Sequence, residues 1–518
     1  MKLHRLVILF FSLGPTSVFP QGSLTPPGAP APLMKSLDQI EPRTDLKTLS
    51  GDATAVVVIS NPGSYYLSSN LAGAAGKDTI RVTSTATVTI DLNGFALTGT
   101  GSGRSAIFTT DAVTIRNGTI NATASSSTFA VQGGTRIVCE DLRVLGAGSS
   151  LGGSTIQLSD DGTVRRCRVS QGGISTGLRG VVRDTKVDST ATDVSISLGD
   201  DSEVTNSQLV TGRGFLSLGE RGLVSDCAVN SGGPPTFFVN GSVLQTGGSA
   251  VVRNCVVKGG ATVGNAVTVG ANSVISHCRI ASVFRDGISA QVPDVTVESC
   301  AVESFGRHGI LLGATAQVRD ATVNGAGADG ITVGDHSIVS HSTVTGITGD
   351  GIIAGNGCTI RDSNSSLNDG DGFSTGNFTT LQNCTAHSNQ GNGIMAGGSS
   401  SVIDCLTSSN GKKTAPTNTA SDGIEISGRS RVINCNSFSN AGAGILSNST
   451  NNREFIEGCL LHSNDGLAIS LQANGNTVIK NQVGGNTGGT INQTGGNIGP
   501  LQNASAAVGT IHPFANFQ

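Results

Sequence analysis

The sequence predicts an all-β solenoid in which short strands of successive turns stack on one another. Three observations support this prediction: a glycine that returns about every 21 residues, a cysteine frame in phase with it, and an asparagine at a fixed distance beyond the cysteine. Self-similarity at a fixed period of roughly 20 to 50 residues is the signature of repeat architectures.

The repeated glycine occurs at regular intervals through the second half of the chain. In each unit a glycine precedes an apolar residue, and successive glycines are 21 or 22 residues apart except for one step of 30. The long step contains the polar stretch 411–419, which we interpret as a loop projecting from one turn. The positions are Gly287, Gly309, Gly330, Gly351, Gly372, Gly393, Gly423, Gly444 and Gly466.

The cysteine frame is V-x-x-C-x-V, as in VRRCRV at 164–169 and VRNCVV at 252–257. The valine and the cysteine are both expected to point inward, so the two polar residues between them should turn a corner. The cysteine and the next valine then fit a strand of period two. The frames from Gly118 to Asn481 predict about 17 turns of roughly 21 residues. The polar residue just before the cysteine indicates either a solvated strand edge or a shallow glycan-binding face.

An asparagine lies five residues beyond the cysteine slot in several turns. Its amide can bond to the same amide one turn away, which predicts a buried asparagine ladder. One turn cannot bury its own apolar side chains, but turns stacked about 4.8 Å apart can. A leucine-rich repeat has a similar period, but its leucine and helix-forming content is missing. The members are Asn368, Asn389, Asn410, Asn440 and Asn464.

Composition and the N-terminal residues indicate a secreted chain of low charge. The 518 residues include 73 glycines, no tryptophan and 13% charged residues, with a formal net charge of −4, which argues against a nucleic-acid partner. Residues 1–22 combine a basic start with a short apolar core, which is typical of a signal peptide. We expect a proline-rich linker and lead-in at 23–54, the solenoid at 55–490 and a C-terminal cap or tail at 491–518. No later segment is long and apolar enough to predict a transmembrane span.

These motifs resemble those of a known superfamily. The repeated Asp/Asn-Gly-Ile pattern, the V-x-N-C frame and the asparagine ladder are similar to right-handed parallel β-helix proteins of the pectate-lyase-like superfamily, over roughly residues 55–490. NPGSYYLSSNLAG at 61–73 and VTIDLNGFALTG at 88–99 resemble the first turns of secreted bacterial β-helix repeat proteins. The resemblance implies a single-stranded right-handed parallel β-helix with capped ends, located outside a bacterial cell or at its surface.

The chain has 11 cysteines, nine of which share the inward slot of the frame. They fit a stack of buried thiols that act as small hydrophobic side chains, because the same slot also accepts Thr185 and Ser207. Disulfides between stacked neighbours, such as Cys278 with Cys300 or Cys384 with Cys405, are the alternative in a secreted protein.

The residue before each repeated glycine forms a second column, rich in aspartate. Asp-Gly and Asn-Gly pairs are typical of tight turns. Stacked carboxylates could also hold Ca²⁺, with Asp329, Asp350 and Asp371 as the candidate ligands, or act as a catalytic pair on a glycoside. Two such charges about 5 Å apart repel by roughly 3 kcal/mol at an effective dielectric constant of 20. The column is Asp286, His308, Asp329, Asp350, Asp371, Asn392, Asp422, Ala443 and Asp465.

Arg307 and His308 interrupt the aspartate column. With Glu303 and Asp329 they could form a polar cluster that binds a sugar acid or moves a proton, which makes Arg307, His308 and Asp329 the candidate catalytic residues. The alternative is that this stretch is ordinary solvated surface.

No catalytic set of the superfamily can be carried over. The N-T-D and R-I-K motifs of polygalacturonase-like members, the R-x-P-x-x-R of pectate-lyase-like members and the D-P-H of alginate-epimerase-like members are all missing. We therefore expect a non-catalytic extracellular structural or surface module. The alternatives are a carbohydrate-active enzyme of the polysaccharide lyase, hydrolase or epimerase type, and a non-catalytic glycan-binding module; both imply an extracellular polysaccharide as partner. The oligomeric state is not indicated.

Overall fold

The computed structural model describes residues 43–99, 104–122, 129–146, 154–232, 241–260, 264–325, 327–411, 421–450, 453–472, 474–492, 497–502 and 512–518. The chain divides into two units, Met1–Arg43 and Thr44–Gln518, and only Arg43 of the first unit is described. The predicted signal peptide, most of the linker and nearly all of the insertion at 411–419 lie outside the described residues. A strand at Arg43–Asp45 and a 3-10 turn at Leu46–Thr48 precede the solenoid.

The second unit is an all-β solenoid of about 18 turns, against about 17 predicted. Each regular turn contributes one short strand to each of three parallel stacks, which we name sheets A, B and C. Strands pair with the strand one turn away and in register, as when Ile352 pairs with Phe373 and Phe373 with Ile394. The predicted right-handed parallel β-helix is confirmed.

Sheet A carries the repeated glycine motif. Its strands are Ala55–Ile59, Asp78–Val82, Ser105–Asp111, Phe129–Thr135, Ser154–Gln157, Gly173–Ser175, the second halves of Lys186–Leu198 and Gln208–Leu218, Leu244–Thr246, Val267–Thr268, Ile288–Ala290, His308–Leu312, Asp329–Val333, Ile352–Ala354, Phe373–Thr375, Ile394–Ala396, Ile424–Ile426, Ile445–Ser447, Ile469–Leu471 and Ile491–Asn492.

Sheet B carries the residues that precede the cysteine. Its strands are Gly63–Tyr66, Val88–Asp91, the first halves of Val113–Ala122 and Val138–Gly146, Thr163–Arg165, Val181–Arg183, Glu203–Thr205, Leu223–Ser225, Val251–Arg253, Val274–Ser276, Thr296–Glu298, Gln317–Arg319, Ile338–Ser340, Thr359–Arg361, Thr380–Gln382, Ser401–Ile403, Arg431–Ile433, Phe455–Glu457, Thr477–Ile479 and Asn497–Ile498.

Sheet C carries the residues that follow the cysteine in each turn. Its strands are Leu71–Ala72, Ala96–Thr98, the second halves of Val113–Ala122 and Val138–Gly146, Arg168–Ser170, the first halves of Lys186–Leu198 and Gln208–Leu218, Ala228–Ser231, Val256–Lys258, Arg279–Val283, Ala301–Phe305, Thr322–Asn324, Thr343–Thr345, Asn364–Ser366, Thr385–His387, Leu406–Ser408, Asn436–Phe438, Leu460–His462, Gln482–Gly484 and Asn516–Phe517, the last of which also pairs with Leu501–Gln502.

The corner between sheets B and C is made by one residue with left-handed backbone. The residue before the cysteine has φ of 56° at Asp226, 53° at Asn254 and 53° at His277. The predicted corner is therefore correct, but this column is the corner itself and not a strand edge. Asn, Asp and His are the side chains that tolerate this conformation best, which explains why the position is polar.

The asparagine ladder is present and buried. In the run from Asn368 to Asn464, each side-chain Nδ2 donates to Oδ1 of the next asparagine at 2.8–3.0 Å, and each backbone N–H donates to the same oxygen at 3.0–3.2 Å. The ladder continues to Asn486, one turn beyond the predicted members. An amide can both donate and accept, so a column of them satisfies itself away from water.

All 11 cysteines are buried free thiols, so the disulfide alternative is not realised. Thr185 and Ser207 fill the same slot, and their hydroxyls donate to Arg183 O and Thr205 O at 2.9 and 2.8 Å. Burial raises the pKa of Cys139 well above its ordinary value and that of Cys167 to about 11. These two thiols are consequently uncharged small core groups.

We predict that Asn389→Ala lowers the free energy of unfolding by about 3–5 kcal/mol, because it leaves the N–H and Nδ2 of Asn368 without their acceptor. Chemical denaturation measures the loss. The matched control is Asn364→Ala, an exposed strand position that should change stability by less than about 0.5 kcal/mol. Equal effects of the two substitutions would contradict the ladder.

We also predict that a thiol reagent such as Ellman's reagent leaves the native protein unlabelled and titrates 11 thiols after unfolding. Buried, protonated thiols are poor nucleophiles, whereas the unfolded chain exposes them. Rapid labelling of several thiols in the native protein would show that the cysteine slot does not face the core.

Candidate functional site

The aspartate column lies where the chain enters sheet A, and its carboxylates bind backbone. Oδ1 of Asp329 accepts the N–H of Asp350 at 3.1 Å, and Oδ1 of Asp350 accepts the N–H of Asp371 at 2.7 Å. The series continues from Asp371 to Asn392 at 2.6 Å and from Asn392 to Asp422 at 2.7 Å. We name these residues, Asp329 to Asp422, the aspartate ladder. Each side chain therefore holds the backbone of the next turn.

The glycine after each aspartate is required by close packing and not by a left-handed turn. Gly330 is outside the left-handed region, and a Cβ placed on it would lie 2.3 Å from Cγ1 of Val344 in sheet C and 2.5 Å from the carbonyl oxygen of Gly351. A Cβ placed on Gly309 would likewise lie 2.4 Å from Cγ1 of Val323. The interpretation of Asp-Gly as a tight-turn pair is therefore wrong for these turns; the side chain of sheet C occupies the space of the missing Cβ.

Burial raises the pKa of three of the carboxyl groups in the aspartate ladder. Burial raises the pKa of Asp350, and it raises the pKa values of Asp371 and Asp422 to about 6. The charge of the neighbouring carboxylate adds to the rise at Asp350 and Asp371, while the backbone N–H that each one accepts opposes it. Asn392 has no charge, and its Nδ2 donates to Glu425 at 2.8 Å.

The structure brings His308 and Asp329 together on paired strands of sheet A. Nδ1 of His308 lies 3.2 Å from Oδ2 of Asp329, which is within ion-pair distance but does not have the geometry of a hydrogen bond. The proximity of the ring holds the pKa of Asp329 below its ordinary value. Both side chains are largely buried, with 16% and 22% of their surface exposed.

Arg307 and Glu303 form ion pairs with residues outside the predicted cluster. Nε of Arg307 lies 3.9 Å from Oδ1 of the buried Asp286, and that oxygen also accepts the N–H of His308 at 3.2 Å. Glu303 lies on sheet C, where its carboxylate is 3.2 Å from a guanidinium nitrogen of Arg279. The predicted cluster therefore reduces to His308 with Asp329, and Arg307 with Asp286.

A groove of about 610 Å³ opens beside Arg307, at the corner that leads from sheet C to sheet A. Sequence reasoning missed it, because neither the phenylalanine at 284 nor the arginine at 285 recurs along the whole repeat. The only signal was a pair of arginines one turn apart, at 285 and 307. The groove is lined by Val283, Phe284, Arg285, Ser304, Phe305, Gly306 and Arg307.

Within the described ranges, no group of three His, Cys, Asp or Glu side chains is close enough to hold a metal ion. Calcium at Asp329, Asp350 and Asp371 stays a prediction, and one oxygen of each of these carboxylates already accepts a backbone N–H. The part of the chain that the structure describes also contains no helix that could cross a membrane.

Comparisons with solved structures give similarities of fold alone. The chain is similar to the periplasmic alginate epimerase AlgG, with 10% identity and a TM-score of 0.31 over 68% of this chain and 77% of that one. The Dettilon tailspike protein gp208 has 14% identity and a TM-score of 0.30, over 65% of this chain and 62% of the tailspike. PfbA, a surface adhesin of Streptococcus pneumoniae, has 8% identity and a TM-score of 0.17, over 88% and 93% of the two chains. No curated protein matches the sequence significantly.

The comparison with protein families matches the part of the chain that contains the repeated motifs. The model of the right handed beta helix region matches residues 194–344 and 329–503, which together make up more than half of the chain. These residues contain eight of the nine cysteines of the frame, the asparagine ladder and the aspartate ladder described above. On this match and on its three parallel sheets, the chain belongs to the right-handed β-helix family.

Proposed function

We propose that the protein is a secreted, non-catalytic structural or surface module that acts outside the cell. The observation that supports this proposal most strongly is the aspartate ladder. Its stacked carboxylates are the acidic groups best arranged for acid–base catalysis. Each of them, however, already accepts a hydrogen bond from a backbone N–H of the next turn through one of its oxygens. A hydrogen bond to a charged group contributes about 1.5–3 kcal/mol to stability, so the column has a structural role in its own right.

The chain contains a natural replacement within the aspartate ladder. Asn392 occupies the same slot and accepts the N–H of Asp422 at 2.7 Å, as the aspartates accept theirs. Ala443 ends the series by donating its N–H to Asp422. A slot that accepts asparagine needs an acceptor oxygen but no charge, which fits a structural role better than acid–base catalysis.

A carbohydrate-active enzyme or a glycan-binding module is the second candidate. The proximity of His308 and Asp329 favours it, because a histidine beside a carboxylate is a common arrangement for moving protons. In this interpretation the substrate or ligand is an extracellular polysaccharide, and Ca²⁺ would be held by Asp329, Asp350 and Asp371.

We predict that the purified protein releases neither unsaturated products nor reducing ends from a panel of acidic polysaccharides, with or without Ca²⁺. Ultraviolet absorbance and a reducing-end assay measure the two products. Turnover that disappears in His308→Gln and Asp329→Asn but survives in Asp369→Asn, an exposed aspartate off the column, would instead establish the enzyme. A rise in melting temperature with Ca²⁺ that Asp350→Asn removes would identify a calcium site.

We predict that Asp371→Asn raises stability at pH 7. The carboxyl of Asp371 binds its proton below about pH 6 in the folded chain, but only near its ordinary pKa of 3.8 once unfolded. Folding therefore takes up a proton between about pH 4 and pH 6, and the stability contributed by this group falls as the pH rises through that range. The asparagine keeps the oxygen that accepts the N–H of Asn392 and removes the charge. We therefore expect the free energy of unfolding to rise by about 1–3 kcal/mol at pH 7, and this gain to vanish near pH 4.

The melting temperatures of Asp371→Asn and the wild type, compared from pH 4 to pH 7, test this prediction. Asp371→Ala, which removes the acceptor oxygen for the N–H of Asn392, should be less stable than the asparagine variant at every pH. Asp369→Asn should show no such pH-dependent difference. An asparagine variant that is less stable than the wild type at pH 7 would contradict the structural role of the column.

A further inference from the structure

The groove at the corner between sheets C and A places two arginines on adjacent turns. The carbonyl oxygen of Arg285 accepts the N–H groups of both Gly306 and Arg307, each at 3.1 Å. The two side chains therefore start from backbone segments that are directly hydrogen-bonded. A Cβ on Gly306 would lie 1.9 Å from the carbonyl oxygen of Phe284, so this close approach requires glycine.

The two guanidinium groups are not equally neutralised. Arg307 has Asp286 at 3.9 Å, in an ion pair whose carboxylate is only 4% exposed. Arg285 is half-buried and has no ion pair or side-chain hydrogen bond within the described part of the chain. Two like charges on neighbouring turns repel, and an anion bridging them would turn that repulsion into attraction.

The other side chains of the lining are mostly apolar. Val283 and Phe305 are buried, and Phe284 presents a ring with 59% of its surface exposed. Ser304 supplies the one neutral polar side chain in the lining. A sugar acid carries several hydroxyl groups, and each needs a partner when it leaves water. A flat apolar body with a single anionic group fits this lining better.

We propose that the groove binds a small aromatic carboxylate, with the carboxylate between the guanidinium groups of Arg285 and Arg307 and the ring against Phe284. Guanidinium groups match carboxylates with two parallel hydrogen bonds, and aromatic rings pack face to edge or offset on one another. The groove spans two turns, which suits one compact ligand. This site is separate from the aspartate ladder, so the proposal goes beyond the structural function and does not depend on it.

Ligand-observed NMR with benzoate as the probe tests the proposal on the full-length protein. Benzoate should give a saturable signal, while benzamide, which keeps the ring but lacks the charge, should bind about tenfold more weakly or not at all. Glucuronate keeps the charge but not the aromatic ring, and should bind more weakly than benzoate. The absence of a saturable benzoate signal, or tighter binding of glucuronate, would overturn the proposal.

Three substitutions locate the site. Arg285→Gln should weaken benzoate binding about tenfold, since it removes one charge-assisted contact, and Phe284→Ala should weaken it through loss of the ring contact. Arg361→Gln, an exposed arginine on sheet B, is the matched control and should leave binding unchanged. Circular dichroism of each variant checks the fold. Equal loss in the control, or unchanged binding in both groove variants, would show that benzoate binds elsewhere.

Discussion

The in-register stacking of parallel turns is the constraint on which the rest of this structure depends. Each strand pairs with the same position one turn away, as Ile352, Phe373 and Ile394 do in sheet A, so residues at equivalent positions are held about 4.8 Å apart. Apolar columns gain from this arrangement because each turn covers the next. Every polar column must instead find a hydrogen-bond partner at that fixed spacing, and its side-chain chemistry decides whether it can.

The polar columns solve this problem in different ways. Asparagines satisfy one another, since an amide both donates and accepts, and the column from Asn368 to Asn486 is fully hydrogen-bonded. Ionised carboxylates have no donor, so the aspartates use the backbone N–H of the next turn, and their burial raises the pKa of Asp371 to about 6. Cysteines avoid the problem because a thiol is only weakly polar and packs in the core as a small hydrophobic group. The arginines at 285 and 307 have two charges on adjacent turns but one carboxylate between them, which is why that corner stands out as a place for an external anion.

Sequence periodicity predicted which residues share a column, but not what each column contacts. The asparagine ladder and the B–C corner followed from spacing, because a repeat of fixed length on stacked turns leaves little freedom. The spacing did not explain why a glycine follows Asp329. That requirement comes from Val344, a residue of another sheet whose side chain reaches across the interior. The backbone hydrogen bonds of the aspartate ladder were missed because they depend on rotamers. Phe284 and Arg285 were missed because their residue types do not recur along the repeat, and a residue type confined to one or two turns gives no periodic signal.

The polar side chains of one turn hold the backbone of the next turn. Hydrogen–deuterium exchange at the N–H groups of Asp350, Asp371 and Asn392 tests this, because within the described part of the chain each of these amides donates to the carboxylate one turn before it and to no backbone carbonyl. The structure predicts strong protection in the wild type and loss of protection at Asn392 when position 371 is alanine. Exchange at the rate of an exposed loop in the wild type would contradict the claim.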